Sequence, residues 1–142
     1  MFTSIAIIGR PNVGKSTLFN KLTKSRKAIV SDFPGLTKDR NYGYLEFGDR
    51  KFFVIDTGGI AKDDSILKED IADQAWVAAE ESKLIIFVLD GSEELNNEDL
   101  EILQKLRKLN KEFIAVVNKS DKKTSSQIKH DLPKKGIDYI EI

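Results

Sequence analysis

The chain has 142 residues, with 23 basic and 23 acidic side chains, one histidine and no cysteine. Its length suits one compact domain, and the lack of cysteine excludes disulfides, thiol nucleophiles and zinc–cysteine or iron–sulfur sites. A formal net charge of zero argues against a broad nucleic-acid-binding face. No apolar run approaches the roughly 20 residues of a spanning helix, so we expect a cytoplasmic protein with no membrane partner.

Short apolar runs without alternation predict strands that are buried on both faces, the pattern of a parallel sheet. These runs are Ile5–Ile8, Leu84–Leu89 and Phe113–Val117, and Ile137–Ile142 adds one more strand. Tyr42–Phe47 and Lys51–Ile55 are separated only by Gly48-Asp49-Arg50. That spacing is too short for a crossover and predicts an antiparallel hairpin within a mostly parallel sheet.

Helical patterns lie between these strands. One helix is predicted from Lys15 to about Thr23, a second over Ile66–Ser82 and a fourth over Ser125–Leu132, where Pro133 is expected to stop it. The third carries a leucine at every third position from Leu100 to Leu109, with Asn96 as its N-cap and with acidic first and basic last turns that match the helix dipole. The alternation of strands and helices along the chain predicts a three-layer α/β domain.

Residues 9–16 read Gly-Arg-Pro-Asn-Val-Gly-Lys-Ser, which matches the phosphate-loop pattern. The segment follows a predicted strand and opens a predicted helix, so its backbone amides are expected to wrap phosphates at the positive helix end. Lys15 would reach the outer phosphates, and the Ser16 hydroxyl would bind Mg²⁺. Because the pattern contacts only phosphates, it leaves the choice between ATP and GTP open.

A second polar segment, Asn118-Lys119-Ser120-Asp121, directly follows a predicted strand, at the sheet edge where ligands bind. A carboxylate only accepts hydrogen bonds, so Asp121 suits the two N–H donors on the Watson–Crick edge of guanine, a pair that adenine lacks. Lys119 can lay its methylene stem along the base, and Asn118 can connect this segment to the phosphate loop. The segment therefore favours guanine.

The Asp-x-x-Gly pattern offers two candidates for a carboxylate beside the metal, Asp32–Gly35 and Asp56–Gly59. Asp56 ends a predicted strand, which places it at the carboxyl edge beside the phosphate loop, and Gly59 would supply a free amide to the γ-phosphate. Asp32 lies in an irregular segment and is interpreted as a turn former. Asp56 is the preferred candidate.

Between Lys24 and Asn41 the sequence has no clear period, and a long loop inside a compact domain is typically functional or disordered. Thr37 could close over Mg²⁺ through its hydroxyl and over the γ-phosphate through its amide, so that the loop orders only with a triphosphate. Ser31 is the rival candidate for that role.

The four segments, in this order, resemble the translation-factor-related class of P-loop GTPases. They are most similar to the first GTPase domain of the Der (EngA) family of ribosome-assembly GTPases. The matching stretches are Gly9–Thr17, Ala28–Asp32, Pro34–Arg40 and Asp56–Ile60. The Era and MnmE families are similar through the phosphate loop but less so around Asp39-Arg40.

The motifs and the resemblance together imply the binding residues. Those expected to bind GTP are Gly9, Arg10, Pro11, Asn12, Val13, Gly14, Lys15, Ser16, Thr17, Thr37, Asp56, Thr57, Gly58, Gly59, Ile60, Asn118, Lys119, Ser120 and Asp121. Ser16, Thr37 and Asp56 are expected to hold Mg²⁺, and Lys15, Thr37 and Gly59 to act in catalysis.

The resemblance also bears on how hydrolysis proceeds. It suggests that Asn12 ligates K⁺ beside the phosphates, with ordinary backbone hydrogen bonds of this asparagine as the alternative. Ile60 stands where Ras-like proteins carry a glutamine that orients water. Because isoleucine cannot hydrogen-bond, slow intrinsic hydrolysis is expected.

For the whole protein, the resemblance implies a second GTPase domain, a KH-like RNA-contacting domain, and the large ribosomal subunit and its rRNA as partners. Family GTPase domains continue into a serine–alanine loop and a closing helix, whereas this chain stops at Glu141-Ile142. We therefore expect residues 1–142 to be one GTPase domain that lacks its closing C-terminal helix, a fragment of a longer multidomain protein.

Two other functions compete with a GTPase switch. One is a P-loop kinase or ATPase, which the segment 118–121 opposes, and the other is a guanine-nucleotide-gated binding module that scarcely hydrolyses, which Ile60 leaves open. A basic cluster is interpreted as a solvated helical face rather than an rRNA contact; its members are Lys122, Lys123, Lys129, His130, Lys134 and Lys135. Trp76 is expected to pack on its helix and His130 to be exposed.

Overall fold

The computed structural model describes residues 2–23, 41–57, 68–118 and 126–142. Within these ranges, strands and helices follow the predicted order. The elements are β1 (Phe2–Ile8), α1 (Lys15–Thr23), β2 (Asn41–Phe47), β3 (Arg50–Asp56), α2 (Lys68–Glu81), β4 (Leu84–Asp90), α3 (Asn97–Leu109), β5 (Phe113–Asn118), α4 (Ser126–Lys134) and β6 (Tyr139–Glu141). β1 begins earlier than predicted and β6 is shorter, and residues 66–67 of the predicted second helix lie outside the described part.

The strands form one sheet in the order β2-β3-β1-β4-β5-β6. β2 pairs with β3 antiparallel, and the other neighbours pair in parallel. This confirms the mostly parallel sheet with one antiparallel hairpin. This order places β3 on one side of β1 and β4 on the other. The carboxyl end of β1 therefore lies at a topological switch point, where open α/β sheets bind their ligands.

An apolar cluster lies on each face of the sheet, between the sheet and the helices that cover it, so the domain has three layers. Ile7 packs with Leu18 and Phe19 of α1 on one face of the sheet. The alternate residues of β1, Ala6 and Ile8, face the other side and join the cluster formed with α2, α3 and α4. Successive side chains of a strand point to opposite faces, so strands with no polar alternation are buried on both sides. This confirms the three-layer prediction.

The apolar face that carries α1 continues past that helix across β4, β5 and β6. The pairing places Ile86 beside Ile114 and Val116 beside Ile140. Ile114 is 38% exposed and Ile140 54% exposed. The expectation that a closing helix is absent from residues 1–142 stays a prediction.

The prediction that Pro133 stops the fourth helix is wrong, because Pro133 lies inside α4. Proline has no N–H to donate to the preceding turn, but α4 continues only one residue beyond it, to Lys134. The helix ends at Lys134 and is followed by Gly136, whose φ of 74° is left-handed. The Gly136 N–H donates to the Pro133 carbonyl (2.9 Å) and the Ile137 N–H to the Leu132 carbonyl (2.9 Å), which is a Schellman ending.

Helix α3 begins as predicted, with Asn96 as its N-cap. The Asn96 side chain accepts from the Asp99 N–H at 2.9 Å, and the Asp99 carboxylate accepts from the Asn96 N–H at 3.1 Å. This reciprocal pair is a capping box. Leu103 and Leu106 are buried and Leu109 packs against the core, whereas Leu100, the first leucine of the repeat, is exposed.

The side chain of Trp76, on α2, packs against the main core cluster, as predicted. The Lys105 ammonium of α3 lies 5.3 Å from the centre of its ring, a cation–π distance. Of the helices in the described ranges, none has both the length and the apolar character needed to cross a membrane.

Lys111 closes the carboxyl end of α2. Its ammonium donates to the carbonyl of Glu80 and, at 2.7 Å, to that of Ser82. The last carbonyls of a helix have no partner within it and carry the negative end of the helix dipole. We expect Lys111→Met to lower the free energy of unfolding by about 1 kcal/mol, measured by urea denaturation. Lys108→Met, at an exposed position on α3, is the control, and equal midpoints for the two variants would contradict the capping role.

Candidate nucleotide-binding site

The predicted phosphate loop, residues 9–16, connects β1 to α1 at the carboxyl edge of the sheet. β3 ends at Asp56 and β5 at Asn118, at the same edge. Three strands therefore bring together Lys15, Ser16, Asp56 and Asn118, which the sequence predicted from separate motifs.

The loop turns tightly because two of its residues are left-handed, Asn12 with φ 68° and Gly14 with φ 98°. Such turns aim successive backbone N–H groups toward one point and form a concave anion site. Val13 is completely buried in the layer beneath α1 and anchors the loop. A Cβ on Gly9 would lie 2.7 Å from the Val88 carbonyl oxygen, so glycine allows the loop to approach β4.

Lys15 bends back over the loop. Its ammonium donates to the carbonyl of Gly9 at 2.7 Å and to that of Arg10 at 2.9 Å. Burial lowers the pKa of Lys15, and the negative charges of Asp56 and Glu98 act against that shift. A half-buried cation bound mainly to neutral carbonyls gains strongly from an anion, so phosphate oxygens are the ligand class that this position favours.

Ser16 and Asp56 face each other, with the serine Oγ 3.1 Å from the aspartate Oδ2. Asp56 is 2% exposed. A hydroxyl and a carboxylate next to a phosphate site match the sparse protein ligation of Mg²⁺, which also takes phosphate oxygens and water. In the described part of the chain there is no cluster of three or more acidic or histidine side chains that could hold a metal alone. The pair therefore fits Mg²⁺ that arrives with its nucleotide.

Asn118 connects the two predicted binding segments, as its position suggested. Its side-chain N–H donates to the Val13 carbonyl at 2.9 Å. A Cβ on Gly14 would lie only 2.0 Å from that same amide nitrogen. The residue at position 14 must therefore be glycine both for its φ and for the close approach of Asn118.

The structure gives Thr57 a role in the fold. Its hydroxyl donates to the Ile7 carbonyl at 2.6 Å, and the residue is 4% exposed. This bond joins the end of β3 to the end of β1. Pro11, in the loop, and Thr17, in the first turn of α1, are exposed.

Several predicted site residues lie outside the described residues. They are Thr37 and its rival Ser31, the alternative Asp32, Gly58, Gly59 and Ile60 after β3, and Lys119, Ser120 and Asp121 after β5. Lys122 and Lys123 of the basic cluster also lie outside. The described members of that cluster, Lys129, His130, Lys134 and Lys135, are exposed on or just after α4.

The side-chain partners of Arg10 escaped the sequence reasoning. Its guanidinium donates through Nη2 to Glu93 at 2.7 Å, and its Nε lies 3.3 Å from Asp99 Oδ1. Glu93 follows β4 and Asp99 belongs to the first turn of α3. The only available signal was the acidic first turn of α3, which the helix dipole already explains.

Comparisons with known proteins agree with this geometry. Residues 4–119 match the family model described as 50S ribosome-binding GTPase. The chain is 51% identical over 121 residues to the GTPase Der of Marinomonas sp., which is 85% of this chain and 27% of that protein. It is 50% identical over the same length to the GTPase Der of Legionella pneumophila strain Lens, 26% of that protein. The chain thus spans about a quarter of the length of these relatives.

Solved structures share the fold. The Aquifex aeolicus Era variant bound to GDP·AlF4⁻ superposes with a TM-score of 0.78 at 32% identity, over 99% of this chain and 50% of that one. Era in complex with MgGDPNP and a fragment of 16S ribosomal RNA gives 0.74 at 32% identity, again over 99% and 50% of the two chains. The G domain of the T. maritima FeoB iron transporter gives 0.69 at 23% identity, over 99% and 87%; this likeness concerns the fold alone.

Proposed function

The chain belongs to the family of 50S ribosome-binding GTPases, and from this premise we propose that it binds GTP with Mg²⁺ and hydrolyses it to GDP and phosphate. The observation that carries the proposal is the meeting of Ser16 with Asp56, at 3.1 Å, beside the phosphate loop that holds Lys15. A cation, a hydroxyl and a carboxylate at one sheet edge supply the parts that phosphoryl transfer requires.

Each residue has a proposed part. Lys15 and the loop amides would neutralise phosphate charge, and Ser16, Asp56 and Thr37 would hold Mg²⁺, which supplies a positive charge at the reacting phosphates. Gly59 would donate its amide to the γ-phosphate, and Asp121 with Lys119 would bind guanine. Catalysis of this kind is mainly positioning and charge stabilisation, and Ile60 leaves water orientation without a side-chain hydrogen bond.

K⁺ is proposed as a further cation at Asn12. The residue lies in the phosphate loop with a left-handed φ of 68° and is exposed, and its amide side chain carries an oxygen of the kind that binds K⁺. A cation there would act on the developing charge as an arginine finger does.

We also propose that the full-length protein works in the cytoplasm on assembly of the large ribosomal subunit, with rRNA as its partner through other domains. The name of the matched family supports the large subunit. The Era complex contains 16S ribosomal RNA, which shows an RNA partner for that protein. In this proposal the chain is the switch, whose loops around Thr37 and Gly59 change with the state of the nucleotide.

Competition against fluorescent GDP, followed by single-turnover hydrolysis, tests the proposed function. GTP should displace the probe at least about 100-fold better than ATP, because adenine lacks the pair of donors that Asp121 accepts. Hydrolysis should be slow and faster in K⁺ than in Na⁺. Equal competition by ATP would favour a kinase or ATPase.

The comparison of hydrolysis in K⁺ with hydrolysis in Na⁺ distinguishes the remaining candidate functions. No turnover in either salt would favour a nucleotide-gated binding module. Equal turnover in both would contradict the K⁺ role of Asn12 but leave the GTPase assignment intact.

A further inference from the structure

The phosphate loop is attached to helix α3 through the side chain of Arg10. This side chain is 14% exposed, and that of Asp99 is 3% exposed. Their facing atoms, Arg10 Nε and Asp99 Oδ1, are both buried and lie 3.3 Å apart, an ion-pair distance, and neither forms a hydrogen bond within the described residues. The opposite charge of each group therefore offsets the burial of the other.

Asp99 uses its two oxygens for different tasks. Oδ2 accepts from the Asn96 N–H and completes the capping box, whereas Oδ1 faces Arg10. Burial raises the pKa of Asp99, with the Asn96 N–H and Arg10 acting against that shift. A capping box needs only one oxygen of its acidic residue, and a glutamine or asparagine could supply it without burying a charge. The capping box therefore does not account for the negative charge that Oδ1 of Asp99 presents to Arg10.

Arg10 also connects this pair to the lysine of the loop. Its backbone carbonyl accepts from the Lys15 ammonium at 2.9 Å, while its side chain is held by Asp99 and Glu93. The Glu98 carboxylate is near enough to act on the Lys15 charge, so the start of α3 lies beside the site. Fixing the Arg10 side chain fixes the peptide that holds Lys15.

The neighbouring connection between β4 and α3 also touches the base-binding side. The Gly91 N–H donates to the Asn118 carbonyl at 2.7 Å, and a Cβ on Gly91 would lie 2.7 Å from that oxygen. Residues 90–99 therefore contact the phosphate loop through Arg10 and the end of β5 through Asn118. They form a support common to both halves of the site.

We propose that Asp99, assisted by Glu93, is a positioning residue that holds Arg10, and through it Lys15, in the geometry that binds nucleotide phosphates; this rests on the nucleotide-binding function proposed above. Preorganised cations bind an anion without first reorganising. Loss of the Arg10–Asp99 pair should therefore appear mainly as faster nucleotide release, as is usual when one partner of a buried charge pair is removed.

The direction in which nucleotide affinity changes when the Asp99 charge is removed distinguishes a positioning role from a purely electrostatic one. Asp99 carries a negative charge close to an anion-binding loop, so its removal would strengthen nucleotide binding if only long-range electrostatics mattered. Positioning predicts the opposite sign. Asp99→Asn keeps an oxygen for the Asn96 N–H but presents an amide N–H₂ to Arg10, so it removes the pair while the cap is retained.

The experiment compares the wild type with Asp99→Asn, Arg10→Met and the double variant, using GDP affinity and release rate. Asp99→Asn should weaken GDP about tenfold, and the double variant should bind no more weakly than Arg10→Met, because one interaction is lost only once. Asn96→Ala is the matched control: it breaks the capping box and lowers stability but leaves Arg10 paired, so GDP affinity should stay within about twofold. Affinity of Asp99→Asn equal to or above the wild type would overturn the proposal.

A second measurement needs no nucleotide. The rate at which acetic anhydride modifies Lys15 in the nucleotide-free protein, followed by mass spectrometry, should rise several-fold in Asp99→Asn and stay unchanged in Asn96→Ala. If the wild type fails to bind GDP, the proposed function fails, and this rate still decides the positioning role: equal rates would refute it. Should Asp99→Asn not fold, Glu93→Gln, whose side chain is 59% exposed, should raise the same rate about twofold; an unchanged rate would refute the role.

Discussion

Asp121→Asn is expected to lower GTP affinity at least about 100-fold and to raise affinity for xanthosine triphosphate above that for GTP. The carboxylate offers only acceptors to the N–H donors of guanine, whereas an asparagine amide also donates and so matches the C2 carbonyl of xanthine. A buried donor without its acceptor costs far more than a lost contact in water. The measurement is competition of each triphosphate against fluorescent GDP or fluorescent xanthosine diphosphate.

A matched control is Asp138→Asn, at an exposed position before β6, which should leave both affinities unchanged. Unchanged GTP affinity in Asp121→Asn would remove the basis for base recognition by this residue. Weaker binding of both nucleotides to the same extent would point to a role in folding of the loop after β5. Either result would leave the phosphate loop and its Mg²⁺ residues in place, because these contact no part of the base.

Local sequence signals predicted most of the architecture. A strand such as β4 is recognisable because burial on both faces removes polar residues from a run of six positions, Leu84–Leu89. The start of α3 is recognisable because an N-cap and its partner three residues later satisfy backbone groups within one turn. In both, the residues that determine the structure are neighbours in sequence. Lys15, Ser16, Asp56 and Asn118 could be placed for the same reason, since each ends a strand or lies at the start of a helix.

The two failures have different physical causes, one local and one long-range. Pro133 was expected to stop α4, but the helix continues to Lys134 and is followed by the left-handed Gly136, with a bond from Ile137 back to Leu132. The Arg10–Asp99 pair joins residues from separate elements, and no period or spacing announces it. Long-range polar contacts depend on tertiary packing, which makes them hard to read from a single chain.

The second large effect is expected for Gly14→Ala, which should reduce nucleotide affinity by more than about 100-fold, or about 3 kcal/mol. The new Cβ would lie 2.0 Å from the Asn118 side-chain nitrogen, a distance that no real contact allows. Asn118 must move, which breaks its bond to the Val13 carbonyl and separates the phosphate loop from the end of β5. The φ of 98° adds backbone strain of its own.

Gly48→Ala tests the effect of backbone strain in the absence of a steric clash. Gly48 is also left-handed, with φ 61°, but no heavy atom of the described residues lies within 4 Å of its Cβ position, in the turn of the β2–β3 hairpin. This variant should lose about 1 kcal/mol of stability from strain and keep its nucleotide affinity. Asn118→Ala removes the same bond to Val13 without adding an atom and should share most of the affinity loss of Gly14→Ala. If Gly14→Ala bound GDP within about threefold of the wild type, the connection between the two loops would be unnecessary for binding, and phosphate and base recognition would have to act independently.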